Sequence, residues 1–310
     1  MLKVCILMKP WPIFKYTLFF LFLGLNCFAS GFALNDDYNY FQQNPKSSLS
    51  SAEAQLLNRY HVVFIAGFLN ERARDRYFRD NVKALQEHKI ENISMIFPSS
   101  RKSISENVAF VRNELEKFYE QGQKKPLIIF GHSKGGLEVI SLVLQEPELL
   151  NFQIERIIAM QSPINGNVFL DRWITQGAIH FSVLDGMNSL RGEQVQKIVH
   201  EKFMHLNDEQ KALVSSRVYF ISTARKPSEV AFVFRIPAYM MYTVKESSDG
   251  VVATKNMTFD LFGKFLGHVK SDHTELVIGA VRGLNIATPE KTRAFTLAVF
   301  KNLIKDLQAK

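Results

Sequence analysis

Short apolar runs alternate along this chain with segments whose apolar residues recur at helical spacing, and this alternation constrains the fold most. The runs are continuous, as in strands that are buried on both faces of a sheet. Parallel strands need long, usually helical, crossover connections, and the intervening segments are long enough to supply them. The pattern predicts an α/β fold with a mainly parallel sheet and helices on both faces. The predicted strands are Val62–Ile65, Ile93–Phe97, Leu127–Phe130, Ile154–Met160 and Val218–Ser222.

Local signals place several helices between and after these strands. Ser103 and Glu106 form a capping-box pattern ahead of a helical repeat. Thr288 followed by Pro289 predicts the start of a last helix. Residues 165–215 break the alternation, because they are helical in pattern with scattered His, Met and Phe. We interpret this segment as a helical lid inserted over one end of the sheet.

The amino terminus has the order of a targeting segment. Basic residues come first, Tyr16–Phe28 is almost wholly apolar, and small residues follow. This order predicts a signal peptide over residues 1–33 and a secreted or periplasmic protein. Thr17–Leu34 is also near the lower length limit for a membrane span, so an uncleaved anchor is the alternative. A polar lead-in over residues 34–57 and an α/β domain over residues 58–310 complete the predicted organisation.

Charge and cysteine content exclude several classes of function. The chain has 38 Lys and Arg against 30 Asp and Glu, and three of the lysines precede residue 34. This weak excess includes no basic block with interleaved aromatic residues, so we expect no nucleic-acid partner. Both cysteines, Cys5 and Cys27, lie in the predicted signal peptide. The mature chain would therefore contain no disulfide, thiolate nucleophile or cysteine metal site.

A G-x-S-x-G motif stands directly after one predicted strand and directly before a helical pattern. In this context the serine, Ser133, lies on a sharp turn that exposes its hydroxyl. Gly131 and Gly135 would allow the crowded turn, and the Lys134 N–H would donate to a developing oxyanion. A plain turn or a phosphate loop is the alternative, but the G-x-x-x-x-G-K-[ST] pattern of phosphate loops is absent.

A serine nucleophile needs a base and an acid, which in this type of site follow it in the order acid, then histidine. His273 is the preferred base, because it opens an apolar run, and His268 is the fallback. Asp249 lies in a Ser-Asp-Gly turn and is the preferred acid, with Glu229 as runner-up. Asp272 is adjacent to His273, and we expect it to point away from the imidazole.

A second oxyanion donor is expected in the loop after the first strand. This loop reads Ala66-Gly67-Phe68-Leu69. The Phe68 N–H is the preferred donor, and Leu69 is the next. A glycine that serves the turn alone is the competing interpretation of the loop.

With these residues in place, the chain resembles the α/β-hydrolase superfamily, in particular bacterial secreted triacylglycerol lipases and related esterases. The resemblance implies that Ser133, His273 and Asp249 cleave carboxylic esters through an acyl-enzyme without a cofactor, and it moves Asp249 ahead of Glu229. The matching stretches are F-I-A-G-F at 64–68, G-H-S-K-G-G at 131–136, Q-S-P-I-N-G at 161–166, and S-D-G-V-V at 248–252 followed by S-D-H-T-E-L-V at 271–277.

Three positions depart from this family pattern or bear on its variants. Ala66 stands where such lipases usually have His, and Lys134 stands where they usually have Gln or Met. A cation beside the nucleophile could favour acidic substrates. Some relatives bind calcium beside the catalytic histidine, and Glu275 lies near the matching place. One carboxylate does not make a hard-cation site, so we predict no metal.

Other functions remain compatible with the same residues. An acyltransferase or a thioesterase would use the same triad. A non-catalytic hydrolase fold that serves as a binding module would require a missing or misplaced triad member. An acyl ester or lipid is the expected substrate, and contact with a membrane surface is a further expectation.

Overall fold

A computed structural model of the chain describes residues 34–68, 70–174, 184–279 and 287–309. The predicted signal peptide, residues 1–33, and the loop residue Leu69 lie outside the described residues. So does the alternative anchor, except for Leu34. Among the helices that the structure does describe, none is both long and apolar enough to span a bilayer.

In the described part of the chain, six strands form one parallel sheet in the order β2-β1-β3-β4-β5-β6. This confirms the predicted α/β class and all five predicted strands. The sixth strand was missed, because its sequence, KFLGHV, has an exposed lysine and a glycine where the pattern required a continuous apolar run. The strands are β1 His61–Ile65, β2 Ile93–Ile96, β3 Leu127–His132, β4 Ile154–Met160, β5 Val218–Thr223 and β6 Lys264–Val269.

Helices and helical turns connect the strands. The capping box at Ser103 is present, and Thr288 caps the last helix as predicted. After a helical segment over residues 34–43, the α-helices in the described part of the chain are Ser51–Leu57, Asn70–Ala73, Arg79–Gln86, Ile104–Gln121, Lys134–Gln145, Leu149–Phe152, Val168–Ile174, Leu184–Asn188, Gly192–Val195, Lys202–His205, Asp208–Arg217, Arg235–Thr243 and Pro289–Gln308. Gln196–Glu201 is a π-helix, and Phe232–Phe234 and Thr254–Asn256 are 3₁₀ turns.

The sheet has an apolar core on each face, because successive side chains of a strand point to opposite sides. On β1, Val63 and Ile65 face the helices Ile104–Gln121 and Lys134–Gln145. Val62 and Phe64 face the last helix on the other side. Both faces are therefore covered, which explains why the strands are apolar throughout.

The predicted polar lead-in contributes to the second core. Residues 34–43 are helical, and Leu34, Tyr38 and Phe41 are buried against the last helix and the sheet. Their spacing of four and three residues is that of one helix face. The polar residues between them obscured this repeat in the sequence.

The segment 165–215 is mainly helical where the structure describes it, and residues 175–183 lie outside that description. Its second half covers the sheet, because Val199 and Val214 belong to the first core. Its first half borders the pocket described below through Phe169 and Leu170. A lid function for this segment stays a prediction.

The strand order places the site. From β1 the chain moves to β2 on one side, and β3 then lies on the other side of β1. Ligands of open α/β sheets bind at such a reversal, beyond the carboxyl ends of the strands. The loop after β1 and Ser133 after β3 meet at this crevice.

Replacement of a core phenylalanine tests the second core. Phe295 is fully buried, and its ring meets those of Tyr38 and Phe130 edge-on at 6.2 and 6.3 Å. We expect Phe295→Ala to lower the free energy of unfolding by about 3–5 kcal/mol through lost burial and a cavity. Urea denaturation measures this change. Phe110→Ala, at a side chain that is 43% exposed, is the control and should cost less than about 1 kcal/mol. Equal losses of stability in the two variants would contradict the placement of Phe295 in the second core.

Candidate active site

Ser133 lies at a strained turn between β3 and the helix Lys134–Gln145. Its backbone angles are φ 53° and ψ −125°, in a region that side chains rarely adopt. Close approaches surround the turn. A Cβ on Gly131 would lie 2.5 Å from Cα of Gly136, and one on Gly135 would lie 2.5 Å from the carbonyl oxygen of Ala66. Gly135 therefore gives room to the end of β1, and Gly136 is a third small residue that the turn requires.

The structure brings three of the predicted residues into one hydrogen-bonded chain. His273 Nε2 lies 3.0 Å from Ser133 Oγ, and His273 Nδ1 lies 2.7 Å from Asp249 Oδ2. The other oxygen of Asp249 accepts the N–H groups of Val251 and Val252 at 2.9 and 2.8 Å. Asp249 is fully buried. This geometry suits a nucleophile, a base and an acid that holds the base in one tautomer.

The alternative residues lie elsewhere. His268, on β6, contacts Ser222 Oγ at 2.9 Å, and burial lowers its pKa. Glu229 pairs with Lys270 at 2.9 Å. Asp272 points away from the imidazole, as expected.

The buried Asp272 carboxylate holds the loop that carries His273. Its Oδ1 accepts the N–H groups of Thr274 and Glu275, each at 2.9 Å. Its Oδ2 accepts the Ala231 N–H at 3.0 Å. The position of the imidazole is therefore fixed from both sides, by Asp249 and through this loop.

A band of buried polar side chains crosses the carboxyl edge of the sheet. The Tyr77 hydroxyl accepts the Gly67 N–H at 2.9 Å and lies 2.6 Å from His132 Nδ1. Across the ring, His132 Nε2 lies 2.9 Å from both Gln161 Oε1 and the His273 carbonyl oxygen. Gln161 in turn donates to the Asp272 carbonyl at 2.8 Å.

This band has one consistent pattern of protons. The two acceptors beside His132 Nε2 require its hydrogen there, so Nδ1 accepts from the Tyr77 hydroxyl. Burial, and next the proximity of His273, hold the pKa of His132 well below its ordinary value, so the ring is neutral. Sequence reasoning missed the roles of Tyr77, His132 and Gln161. The signals for His132 and Gln161 were their positions in the serine motif and in the Q-S-P-I-N-G stretch, and no motif pointed to Tyr77.

The loop after β1 presents its backbone to the serine. A Cβ on Gly67 would lie 2.8 Å from the Ser133 Cβ, so this position tolerates no side chain. The Gly67 N–H is used by Tyr77, which leaves the Phe68 N–H as the next donor in the loop. The Lys134 N–H is at the first helical position, where no intrahelical acceptor exists. Leu69 lies outside the described residues.

The Lys134 side chain does not face the pocket. It is buried and donates to Glu138 Oε1 at 2.8 Å and to the Ser99 carbonyl at 3.1 Å. Asn107 donates to the same carboxylate oxygen at 2.6 Å. The expected influence of this cation on acidic substrates therefore has no structural basis. The i,i+4 spacing of Lys134 and Glu138 was the signal in the sequence.

The Glu275 carboxylate forms salt bridges with two basic side chains, those of Arg225 and Lys291. Its carboxylate lies 2.9 Å from Arg225 and 2.7 Å from Lys291, and it is buried. These two cations neutralise the charge that a metal would otherwise neutralise. No group of three or more His, Cys, Asp or Glu side chains with the geometry of a metal site occurs among the described residues.

Ser133 and His273 open into a pocket of about 680 Å³. Its wall is mainly apolar and includes Leu170, Met187 and Val252. A larger cavity, of about 870 Å³, opens beside the helix Arg235–Thr243, but neither Ser133 nor His273 lines it. The pocket that Ser133 and His273 line is therefore the candidate active site.

No known sequence family and no curated protein matches the chain. Its structure is similar to that of a metagenomic carboxyl esterase, with a TM-score of 0.62 at 15% identity over 80% of this chain and 76% of that one. It is also similar to a lipase of Bacillus licheniformis in its mature form. The TM-score is 0.53 at 16% identity, over 69% of this chain and 84% of the lipase. The similarity to phospholipase PlaB of Legionella pneumophila has a TM-score of 0.50 at 11% identity, over 64% of this chain and 45% of the phospholipase.

At such low identities these likenesses establish the fold. The chain has the α/β-hydrolase fold, as its sequence motifs predicted, with a parallel central sheet and helices around it. The similar structures named above are an esterase, a lipase and a phospholipase.

The buried pair of Lys134 and Glu138 predicts a pH dependence of stability. Desolvation raises the pKa of Glu138 from 4.5 to about 7, against the opposing effect of Lys134. An acid whose pKa is higher in the folded state stabilises the fold at low pH and loses that contribution as the pH rises through the folded pKa. In Lys134→Met the opposing cation is gone, so the pKa should rise further. The slope for a single group is at most about 1.4 kcal/mol per pH unit. We therefore expect the free energy of unfolding to keep falling between pH 7 and 8 in this variant, where that of the wild type levels off.

Urea denaturation at each pH measures this slope. The double variant Lys134→Met/Glu138→Gln removes the titrating group and is the control. The prediction is wrong if the single variant and the wild type have the same slope.

The two cations beside Glu275 predict that calcium does not change the thermal stability of the protein. Because Arg225 and Lys291 already neutralise this carboxylate, neither a chelator nor millimolar Ca²⁺ should shift the melting temperature. Thermal unfolding in EDTA and in CaCl₂ at constant ionic strength tests this, with MgCl₂ as a control. A rise in melting temperature that is specific to Ca²⁺ would contradict it.

Proposed function

We propose that this protein is a serine hydrolase of the lipase or esterase type that cleaves carboxylic acyl esters. One observation carries the proposal: Ser133 Oγ, His273 and the buried Asp249 form a continuous hydrogen-bonded chain at an apolar pocket. The α/β-hydrolase fold supports it, since this fold presents a nucleophile at the same turn.

The first half of the reaction forms an acyl-enzyme. Ser133 Oγ attacks the ester carbonyl carbon while His273 Nε2 takes the hydroxyl proton. The tetrahedral intermediate then collapses, the bond to the alcohol oxygen breaks, and His273 returns the proton to that oxygen. In the second half, water attacks the acyl carbon with His273 again as base, and Ser133 is released with its proton.

Asp249 acts through His273. It accepts the Nδ1 hydrogen and so keeps Nε2 free to accept the serine proton. The N–H groups of Val251 and Val252 donate hydrogen bonds to its other oxygen and so stabilise the negative charge of the buried carboxylate. Its charge stabilises the imidazolium that forms in the transition state.

The oxyanion is assigned to two backbone donors, the N–H groups of Phe68 and Lys134. Both follow the carboxyl ends of neighbouring strands and lie beside the nucleophile. Preorganised donors of this kind stabilise the charge that develops on the carbonyl oxygen. The apolar wall of the pocket suits the acyl chain of the ester.

The place of action is part of the proposal. The basic, apolar and small residues in sequence over 1–33 support export, so we place the reaction outside the cytoplasm.

An active-site probe tests the nucleophile and the base together. We expect a fluorophosphonate to label the wild type at Ser133, and Ser133→Ala and His273→Ala to abolish labelling. His268→Ala should retain it, because this histidine contacts Ser222 and not the serine nucleophile. Labelling is measured by intact-protein mass spectrometry, after circular dichroism has established that each variant is folded.

The outcomes separate the alternatives. An unlabelled but folded wild type would overturn the proposal and favour a binding module. If His268→Ala lost labelling and His273→Ala retained it, the base would be His268 and not His273. Analysis of products from esters and thioesters, with and without an added alcohol, then distinguishes hydrolysis from acyl transfer.

The acid is tested separately. Asp249→Asn should lower kcat for a short-chain ester by a factor on the order of 10³–10⁴, because the imidazole would adopt the wrong tautomer. Glu229→Gln is the control, since Glu229 pairs with Lys270. A normal kcat in folded Asp249→Asn would contradict the assignment.

A further inference from the structure

One rim of the active-site pocket is formed by the 3₁₀ turn Phe232–Phe234 and the helix Arg235–Thr243. Val233, Phe234 and Pro237 line the pocket. The ring of Phe234 meets that of His273 edge-on at 6.3 Å. This segment therefore stands directly at the mouth through which a substrate must pass.

The outer face of this segment is apolar and exposed. The side chains that form it are Phe232, Ile236, Tyr239 and Tyr242. They recur at intervals of four, three and three residues, which places them on one side of the helix. Only Ala238 and Met241 of this helix are buried. A contiguous apolar surface of this kind marks an interaction site. The exposed fractions are 72% for Phe232, 73% for Ile236, 50% for Tyr239 and 66% for Tyr242.

The pocket also has two arginines at its rim. Arg72 and Arg76 line it and are exposed, and neither has a carboxylate partner among the described residues. Of the nearby acids, Glu71 binds the backbone and hydroxyl of Ser100, and Asp75 is exposed. Two cations are thus available to an anion at the mouth.

The occupant that matches both features is a lipid surface with anionic headgroups. Phe and Tyr side chains suit the boundary between headgroups and acyl chains, and arginines bind phosphates there. The Arg235 guanidinium, 5.8 Å from the Phe232 ring centroid, adds a further cation to the apolar side. A second copy of the chain on this surface would instead cover the pocket mouth.

We propose that the docking face, which consists of Phe232, Ile236, Tyr239 and Tyr242 with Arg72 and Arg76, binds an anionic lipid bilayer. The apolar helix face inserts among the lipids, and the arginines contact headgroup phosphates. The open pocket then faces the acyl chains. This inference rests on the proposed function only in that the docked lipid would supply the ester.

Vesicle binding tests the proposal without catalysis. Protein is expressed from the full chain in the Ser133→Ala background, so that lipids are not hydrolysed and every variant has the same amino-terminal segment. Binding is measured by flotation with vesicles of phosphatidylcholine alone or with phosphatidylglycerol added. The two arginines predict a preference for the phosphatidylglycerol vesicles of roughly tenfold or more.

Two double variants separate the apolar and the charged contributions. Ile236→Asp/Tyr239→Asp should lower partitioning at least about tenfold on both kinds of vesicle. Arg72→Gln/Arg76→Gln should lower it roughly tenfold on phosphatidylglycerol vesicles and leave it unchanged on phosphatidylcholine vesicles. Phe152→Asp is the matched control. Its side chain is 58% exposed and precedes β4, at the opposite edge of the sheet from the site, so its partitioning should equal that of the parent.

The result that overturns the proposal is wild-type partitioning of the Ile236→Asp/Tyr239→Asp protein. It is also overturned if that variant converts a vesicle-free dimer to a monomer on size exclusion, because the face would then bind a second copy. In the background with Ser133 intact, the same variant should keep its activity on a soluble short-chain ester within about twofold, since neither side chain lines the pocket. Normal vesicle binding without fluorophosphonate labelling would sink the proposed function and leave the docking face intact.

Discussion

The turn at Ser133 is the constraint on which the rest of the site depends. A side chain at positive φ is strained by about 1–3 kcal/mol, and such strain persists only where the surrounding structure holds it. Here β1, β3 and the following helix approach so closely that only glycines fit at 131, 135 and 136. The same approach sets the first N–H of the helix beside the loop after β1. The proposed nucleophile and both proposed oxyanion donors therefore arise from one packing arrangement.

Around this turn, buried polar groups must satisfy one another, because their burial removes them from contact with solvent. Tyr77, His132 and Gln161 do so in a single chain that runs from the loop after β1 to the loop of His273. Loss of any member would leave a buried donor or acceptor without a partner. The band thus holds the loop after β1 and the imidazole of His273 at a fixed separation, which is the preorganisation that the proposed ester hydrolysis would need.

The placement of charge matters more than the net charge. Lys134 is adjacent to the nucleophile in sequence but is directed into the protein, where Glu138 neutralises it. Arg225 and Lys291 bind Glu275 beneath the His273 loop. Arg72 and Arg76 have no such carboxylate among the described residues and line the pocket. These five cations therefore have three different roles, and among the five Arg72 and Arg76 are the pair available to a ligand.

The sequence by itself determined the α/β class, five of the six strands and the strand–turn–helix context of Ser133, because these depend on apolar runs, glycines and caps that act locally. The residues alone preferred Asp249 and kept Glu229 as runner-up, family resemblance strengthened that preference, and the structure brings Asp249 to His273. Only the tertiary structure decided the environment of the Lys134 side chain, the polar band from Tyr77 to Gln161, and the apolar rim that faces solvent. These features join residues that lie far apart in the chain, or depend on which face of a helix is left uncovered. Periodicity and motif spacing carry no information on such contacts, because they arise only when the strand order brings the loops together at one edge of the sheet.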